Sequence, residues 1–173
     1  MRSSRSLPVL VALLALLVSA CSEAPEPRTT TRAKTKKKGL DLSLRSLDGR
    51  ALDLVDLRGK VVLVDVWATW CRPCIQALPG LIELNEKHSD ELVVVGLSVD
   101  TDRQALANFL QANELPYFNA YADEEAHRTF PAMALPTVYI LDPDGRRVDR
   151  VVGAVSKSTL LQRARAHVRK ESS

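Results

Sequence analysis

Val61-Val62-Leu63-Val64-Asp65-Val66-Trp67-Ala68-Thr69-Trp70-Cys71-Arg72-Pro73-Cys74 is the stretch that decides the fold. Residues 61–67 are apolar and mostly β-branched, with one aspartate in the middle. A run without polar alternation fits a strand covered on both faces. Past Trp67 the period changes. Ile75, Leu78, Ile82 and Leu84 recur near helical spacing over about residues 72–88. Pro73 suits the first turn of that helix, where its missing N–H is not needed. Pro79 falls inside and is expected to kink it.

A strand running into a helix at this point puts Cys71 at the helix N-terminus. Unpaired amides and the helix dipole there favour a thiolate, and thiols so placed have lowered pKa values. The thiolate is the attacking species in disulfide exchange. Cys74 lies three residues on, on the same helix face, within reach of Cys71. Cys71 is therefore expected to act as nucleophile and Cys74 as the resolving thiol. The chain has one further cysteine, Cys21. A bridge across two residues constrains the unfolded chain little, so its value lies in being opened and closed. Zinc needs a second ligand pair, and His88, His127 and His167 stand singly. Each is read as a surface residue, and no metal site is expected.

Outward from this stretch the chain alternates strands and helices. Leu40, Leu42 and Leu44 alternate with polar residues, Asp48-Gly49 is a turn, and 51–54 returns as a hairpin. Residues 92–99 form a second buried strand. Thr101-Asp102-Arg103-Gln104 reads as a capping box opening a helix to about Asn113. A short strand at 117–121 and a short helix at 123–129 come next. Strand 137–141, the turn Asp142-Pro143-Asp144-Gly145 and an antiparallel strand at 147–152 follow. Ser156 or Ser158 caps a last helix to about Arg169. The strand–helix–strand units imply parallel pairing with right-handed crossovers. The expected class is α/β, a mixed sheet with helices on both faces.

The front of the chain is different in kind. Arg2 and Arg5 precede an apolar run from Leu7 to Val18 and then small residues, the layout of a secretory signal peptide over residues 1–20. That run is too short to span a bilayer comfortably. Val18-Ser19-Ala20-Cys21 resembles a bacterial lipobox, which implies acylation of Cys21 and a lipid anchor in the cell envelope. Residues 21–39 lack hydrophobic periodicity and carry six basic and two acidic side chains. They read as a disordered tether of about 23 Å root-mean-square span. Lys34, Lys36, Lys37 and Lys38 would meet anionic headgroups if the tether lies near a membrane. The formal charge of +3 thus belongs to the front, and residues 40–173 are net acidic. No aromatic residue stands among the Lys and Arg at 28–38, so nucleic acid is not an expected partner.

Residues 65–74 resemble the thioredoxin active-site segment, and the resemblance extends over about residues 40–170. The front hairpin, Trp67-Ala68-Thr69-Trp70-Cys71, Leu135-Pro136-Thr137 and the Asp142–Gly145 turn look most like the membrane-tethered TlpA/ResA branch. The resemblance implies a thioredoxin fold with an N-terminal β-hairpin extension. It also gives roles to single residues. A buried carboxylate is costly unless paired or protonated, and by resemblance Asp65 moves the proton of the second cysteine. The TlpA/ResA branch often has a neutral residue there and an acid three positions after the second cysteine, where this chain has Ala77. In this respect the chain is thioredoxin-like. Proline is tolerated at the first residue of a strand. The resemblance implies that Pro136 is cis, packs on the disulfide, and follows a backbone segment that pairs with extended substrate. Leu135 would then tune partner choice. Trp70 is expected to shield the site, and Trp67 to lie in the core. Arg72 puts a positive charge beside the thiolate, which stabilises the reduced form and raises the reduction potential.

The implied activity is reduction of disulfides in exported proteins, such as apocytochrome cysteines before haem attachment or a copper-site assembly protein. A membrane thiol-reducing protein would supply the electrons, and no cofactor beyond the dithiol is implied. An exported thiol oxidase is the rival within the class, because direction depends on potential relative to the compartment. A copper chaperone using both thiolates is the rival outside it, with Met133 and His127 as further ligands. A peroxidase lacks the supporting Thr and Arg pattern.

Overall fold

The computed structural model describes residues 39–168. The expected signal segment, Cys21, the tether as far as residue 38, and Arg169 lie outside the described residues. A front hairpin pairs β1 (Ser43–Arg45) with β2 (Ala51–Asp53), Leu44 opposite Leu52. A short 3-10 turn, Leu54–Leu57, leads to β3 (Val61–Trp67) and then α1 (Arg72–Lys87), which continues through Pro79. β4 (Leu92–Ser98), α2 (Arg103–Ala112), β5 (Phe118–Tyr121) and α3 (Glu124–Thr129) follow. The chain closes with β6 (Thr137–Leu141), β7 (Arg147–Val152) and α4 (Lys157–Arg165).

The five-stranded sheet runs β5-β4-β3-β6-β7. β3 is therefore its centre, parallel to β4 and antiparallel to β6. That position explains the apolar run, since both faces of a central strand are covered. Alternation along β3 sorts its side chains into two layers. Val62, Val64 and Val66 pack with Leu42, Leu44 and Leu54 of the hairpin segment and Phe130 after α3. Val61 and Leu63 pack with Leu78, Leu81 and Leu84 of α1 and Leu160 of α4. Trp67 shares that second face, packing in a tilted arrangement against Phe109 of α2 with 5.4 Å between ring centroids. Each fully buried Val or Leu contributes about 1.5–3 kcal/mol of hydrophobic stabilisation.

Two ends differ in detail from the sequence expectation. The helix α2 is capped by Asp102 and not by a Thr101–Gln104 box. Its carboxylate accepts the amides of Gln104 at 2.8 Å and Ala105 at 3.2 Å. Gln104 is then one residue short of the position a box requires, and its side chain donates to Asn108 at 2.9 Å instead. The final helix starts from a Ser156 cap, whose hydroxyl accepts the Thr159 amide at 3.2 Å. It ends at Arg165 rather than near Arg169, in a tightened turn where the His167 amide reaches the Ala164 carbonyl at 2.9 Å. The domain's front edge is pinned to the far hairpin. Leu40 N–H donates to Gly145 O at 2.8 Å, and a Cβ on Gly39 would stand 2.0 Å from Asp144 O. Among the described residues no helix is long and apolar enough to cross a membrane.

Candidate active site

β3 ends at Trp67, and the next four residues turn the chain into α1. Cys71 N–H closes that turn on Ala68 O at 3.1 Å. Cys71 is the N-cap of α1, in extended conformation, and its Sγ accepts the Cys74 amide at 3.3 Å. The sulfur thus occupies the acceptor position at a helix N-terminus, where free amides and the dipole favour negative charge. Cys71 and Cys74 are joined by a disulfide, with Cα atoms 5.3 Å apart. Cys71 retains 5 % exposure and Cys74 none, so only the first sulfur is open to a partner.

The loop is held from the side by a residue that the sequence reading did not single out. Asp100, just past β4, is buried and accepts from the Thr69 amide at 3.0 Å and the Thr69 hydroxyl at 2.6 Å. The Ser98 hydroxyl donates to the same carboxylate at 2.7 Å. The only signal in the sequence is an aspartate directly after a buried strand.

Beneath the loop lies Asp65, at the centre of the sheet and 1 % exposed. It points to the face shared by Trp67, against which Cys71 and Cys74 pack. Its neighbours in register are Gly96 on β4 and Val138 on β6. Burial pushes its carboxyl up to about 7, and its Oδ1 has no hydrogen-bond partner. Desolvation disfavours the charged form, so the neutral acid persists to an unusually high pH.

A cleft of about 600 Å³ opens over the disulfide. Trp70, Cys71, Arg72, Pro73, Met133 and Leu135 line it. Trp70 is 69 % exposed and Met133 fully so, an unusual pair of large apolar side chains in water. The Leu135–Pro136 bond is cis. Leu135 packs against the cluster that holds both cysteines. The fold thus brings Trp70, Cys71, Arg72, Pro73 and Leu135 to one opening. Asp65, Cys74 and Pro136 do not line it, and Cys21 is outside the described residues. His127 joins the rim. Among the described residues, no group of three His, Cys, Asp or Glu side chains could hold a metal.

A dithiol/disulfide pair in the first turn of the helix after the central strand of a mixed five-stranded sheet defines a class, the thiol–disulfide oxidoreductases of thioredoxin fold. The comparisons with known proteins agree. Residues 59–147 match the model of a thioredoxin-like family. The chain is 32 % identical over 126 residues to the thioredoxin-like protein YneN of Bacillus subtilis, covering 71 % of this chain and 74 % of that one. It is 30 % identical to the thiol-disulfide oxidoreductase ResA of Bacillus cereus, covering 72 % and 73 %. Among solved structures, a putative thiol:disulfide interchange protein DsbE from Chlorobium tepidum superposes with a TM-score of 0.68 at 27 % identity, covering 75 % of this chain and 94 % of that one. The chain belongs to the thioredoxin-like family. It is a thiol–disulfide oxidoreductase.

Proposed function

We propose that the protein reduces disulfides of exported proteins, with Cys71 as attacking thiolate and Cys74 as resolving thiol. The observation that carries this reading is the asymmetry of the pair, one sulfur at the mouth of an apolar cleft and helix N-terminus, the other sealed behind it. In the first step the Cys71 thiolate attacks a substrate sulfur, forming a mixed disulfide and releasing the other substrate sulfur as a thiolate that takes up a proton. In the second step Cys74 gives its proton to Asp65, and its thiolate attacks Cys71 Sγ. The Cys71–Cys74 bond forms, the bond to substrate breaks, and two electrons have passed to the substrate. A carboxyl raised to about 7 is matched to that transfer near neutral pH. The positive charge of Arg72 favours the Cys71 thiolate. Trp70, Met133 and Leu135 offer apolar contact to a substrate segment, and the backbone ahead of Pro136 pairs with it. A membrane thiol reductant returns the pair to the dithiol.

The site of action follows from the front of the chain. Residues 1–20 direct export, acylated Cys21 anchors the protein to the cell envelope, and residues to 39 tether the domain. Fitting substrates are cysteine pairs awaiting haem attachment or copper insertion, which must be kept reduced in an oxidising compartment.

Equilibrium titration of the Cys71–Cys74 pair against glutathione tests the direction. A potential near about −270 mV supports the reductase, and one near about −120 mV makes the protein an oxidant. C74S is expected to accumulate a mixed disulfide through Cys71. Absence of that adduct overturns the assigned order of attack. A copper-binding role has one observation in its favour, since His127 and Met133 share the cleft with Cys71. Titration of the reduced protein with Cu(I), beside C71S/C74S and M133L, decides it.

A further inference from the structure

Four buried side-chain atoms lack a hydrogen-bond partner among the described residues: Asp65 Oδ1, Trp67 Nε1, Tyr117 Oη and Asn119 Oδ1. They are not scattered. Asp65, Gly96 and Asn119 stand in one row across β3, β4 and β5, paired in register. Residues two apart on a strand share a face, so Trp67 on β3 and Tyr117 ahead of β5 lie on this side too. Gly96 has no side chain, and its neighbours in the row fill the space above it. A Cβ there would sit 2.1 Å from Asn119 Oδ1 and 3.1 Å from Trp67 Nε1, so both atoms converge over the glycine. Buried polar groups are normally satisfied by protein or by internal water. Four orphans on one small patch, with both donor and acceptor chemistry, make a site suited to bound water.

The patch also has a way out. A second cleft, about 560 Å³, lies between the tip of the front hairpin, α2 and β5, on a different part of the surface from the disulfide. Its floor includes Tyr117 and Asn119, and its mouth carries Asp48, Arg50, Gln111 and Glu114. Tyr117 is 9 % and Asn119 8 % exposed, so these two side chains separate the cleft from the row behind them. The charge of Asp65 is felt at the Tyr117 phenol, which it helps to hold above its ordinary pKa, with burial the larger cause.

We propose that this row is the proton port of the active site: water entering the second cleft reaches Asp65 past the Tyr117 hydroxyl and the Asn119 carboxamide, which are thereby positioning residues for the resolving step. The inference rests on the reading of Asp65 as acceptor of the Cys74 proton. During resolution the disulfide mouth is covered by substrate, and the proton taken by Asp65 needs another exit. The carboxylic acid hands it to water at the Tyr117 hydroxyl, and Asp65 returns to the carboxylate. The titratable groups on the face that Asp65 occupies are Cys71 and Cys74 from α1 and Tyr121 from β5, packed in the cluster of Trp67, and Tyr117 ahead of β5, whose phenol feels the Asp65 charge. The α2 side chains packed on this cluster are Leu106, Phe109 and Leu110, which do not titrate. Asp48, Arg50 and Glu114 stand at the cleft mouth.

The test is the two-phase reaction of the reduced full chain, carrying C21S so that only Cys71 and Cys74 react, with dithiobis(nitrobenzoate). The first coloured thiolate reports attack by Cys71, and the second reports attack by Cys74. Y117F and N119L are expected to slow the second phase by about tenfold, part of the effect of a positioned proton acceptor, with the first unchanged. The apparent pKa governing the second phase is expected to rise. D65N is expected to slow the same phase, and D65N/Y117F to be no slower than D65N, because the groups act in series. If D65N slows resolution while Y117F and N119L do not, the port is overturned and the role of Asp65 stands. If D65N has no effect on the second phase, both fail. Should Y117F not fold, G96A puts a methyl group 2.1 Å from the present place of the Asn119 oxygen, which must move aside, and is expected to give the same slowing. Wild-type rates in both N119L and G96A overturn the port.

Discussion

A carboxyl group at the centre of β3, with one oxygen unpartnered, ties stability to pH at the scale of a single residue. The folded protein holds this proton up to pH about 7, whereas the unfolded chain releases it near its ordinary value of 3.8. Between those limits the native state binds more protons. Stability therefore falls as pH rises from about 4 to about 7, and then levels off. A shift of this size corresponds to about 4 kcal/mol over the whole window. D65N is expected to lose that slope and to be the more stable protein at pH 8. Urea denaturation of the oxidised forms at pH 5 and pH 8 checks it. A wild-type slope matching that of D65N would mean that the carboxyl ionises at its ordinary pH. Asp65 was legible in the sequence because it interrupts an apolar run. Its neighbours were not. Gly96, Tyr117 and Asn119 lie 31, 52 and 54 residues away, respectively, and only the register of β3, β4 and β5 brings them together on one face.

Between elements, the active-site loop depends on a clamp. Asp100 ties the end of β4 to the segment that joins β3 to α1, taking three donors with one carboxylate. D100A removes the acceptor and leaves the Thr69 amide and two hydroxyls in a mostly buried place. An unsatisfied buried group costs about 1–3 kcal/mol, so a loss of at least about 3 kcal/mol is expected. Amide hydrogen exchange at Thr69 should also quicken. D100N keeps one acceptor oxygen and should lose less. Unchanged exchange at Thr69 in D100A would show that the loop is held without the clamp. The order and kind of the elements were readable, because hydrophobic period and turn residues agree along the chain. The cap of α2 was misread by one residue, since Thr101 and Asp102 are both good caps and only geometry chooses between them. The clamp was invisible for a related reason. An aspartate after a strand reads as a turn residue until its partner Thr69, 31 residues earlier, is folded against it.

Across the whole molecule, the two faces of the sheet are covered by different means. Three helices, α1, α2 and α4, cover the face that bears the disulfide. The opposite face is covered by the front hairpin segment together with α3 and Phe130. The helical face follows from the right-handed strand–helix–strand crossovers, and was foreseeable. The hairpin's role was less so, because alternation shows that one side is buried but not against what. Leu42, Leu44 and Leu54 turn out to seal Val64, Val66 and Tyr139. The hairpin is thus part of the core and not an appendage. L44A is expected to cost about 2–5 kcal/mol, the range for a buried leucine cut to alanine. A chain beginning at Gly39 retains the whole of this packing and the Leu40–Gly145 hydrogen bond. It is expected to unfold cooperatively at the same urea midpoint as the full chain. A chain beginning at Leu54 loses Leu42 and Leu44 and exposes a contiguous apolar face, the kind of patch that drives association. It is expected to aggregate, or to unfold at a much lower midpoint, although every residue of the disulfide site is still present. If that shorter chain were monomeric and equally stable, the hairpin would be an ornament on a sheet that needs no cover on that face.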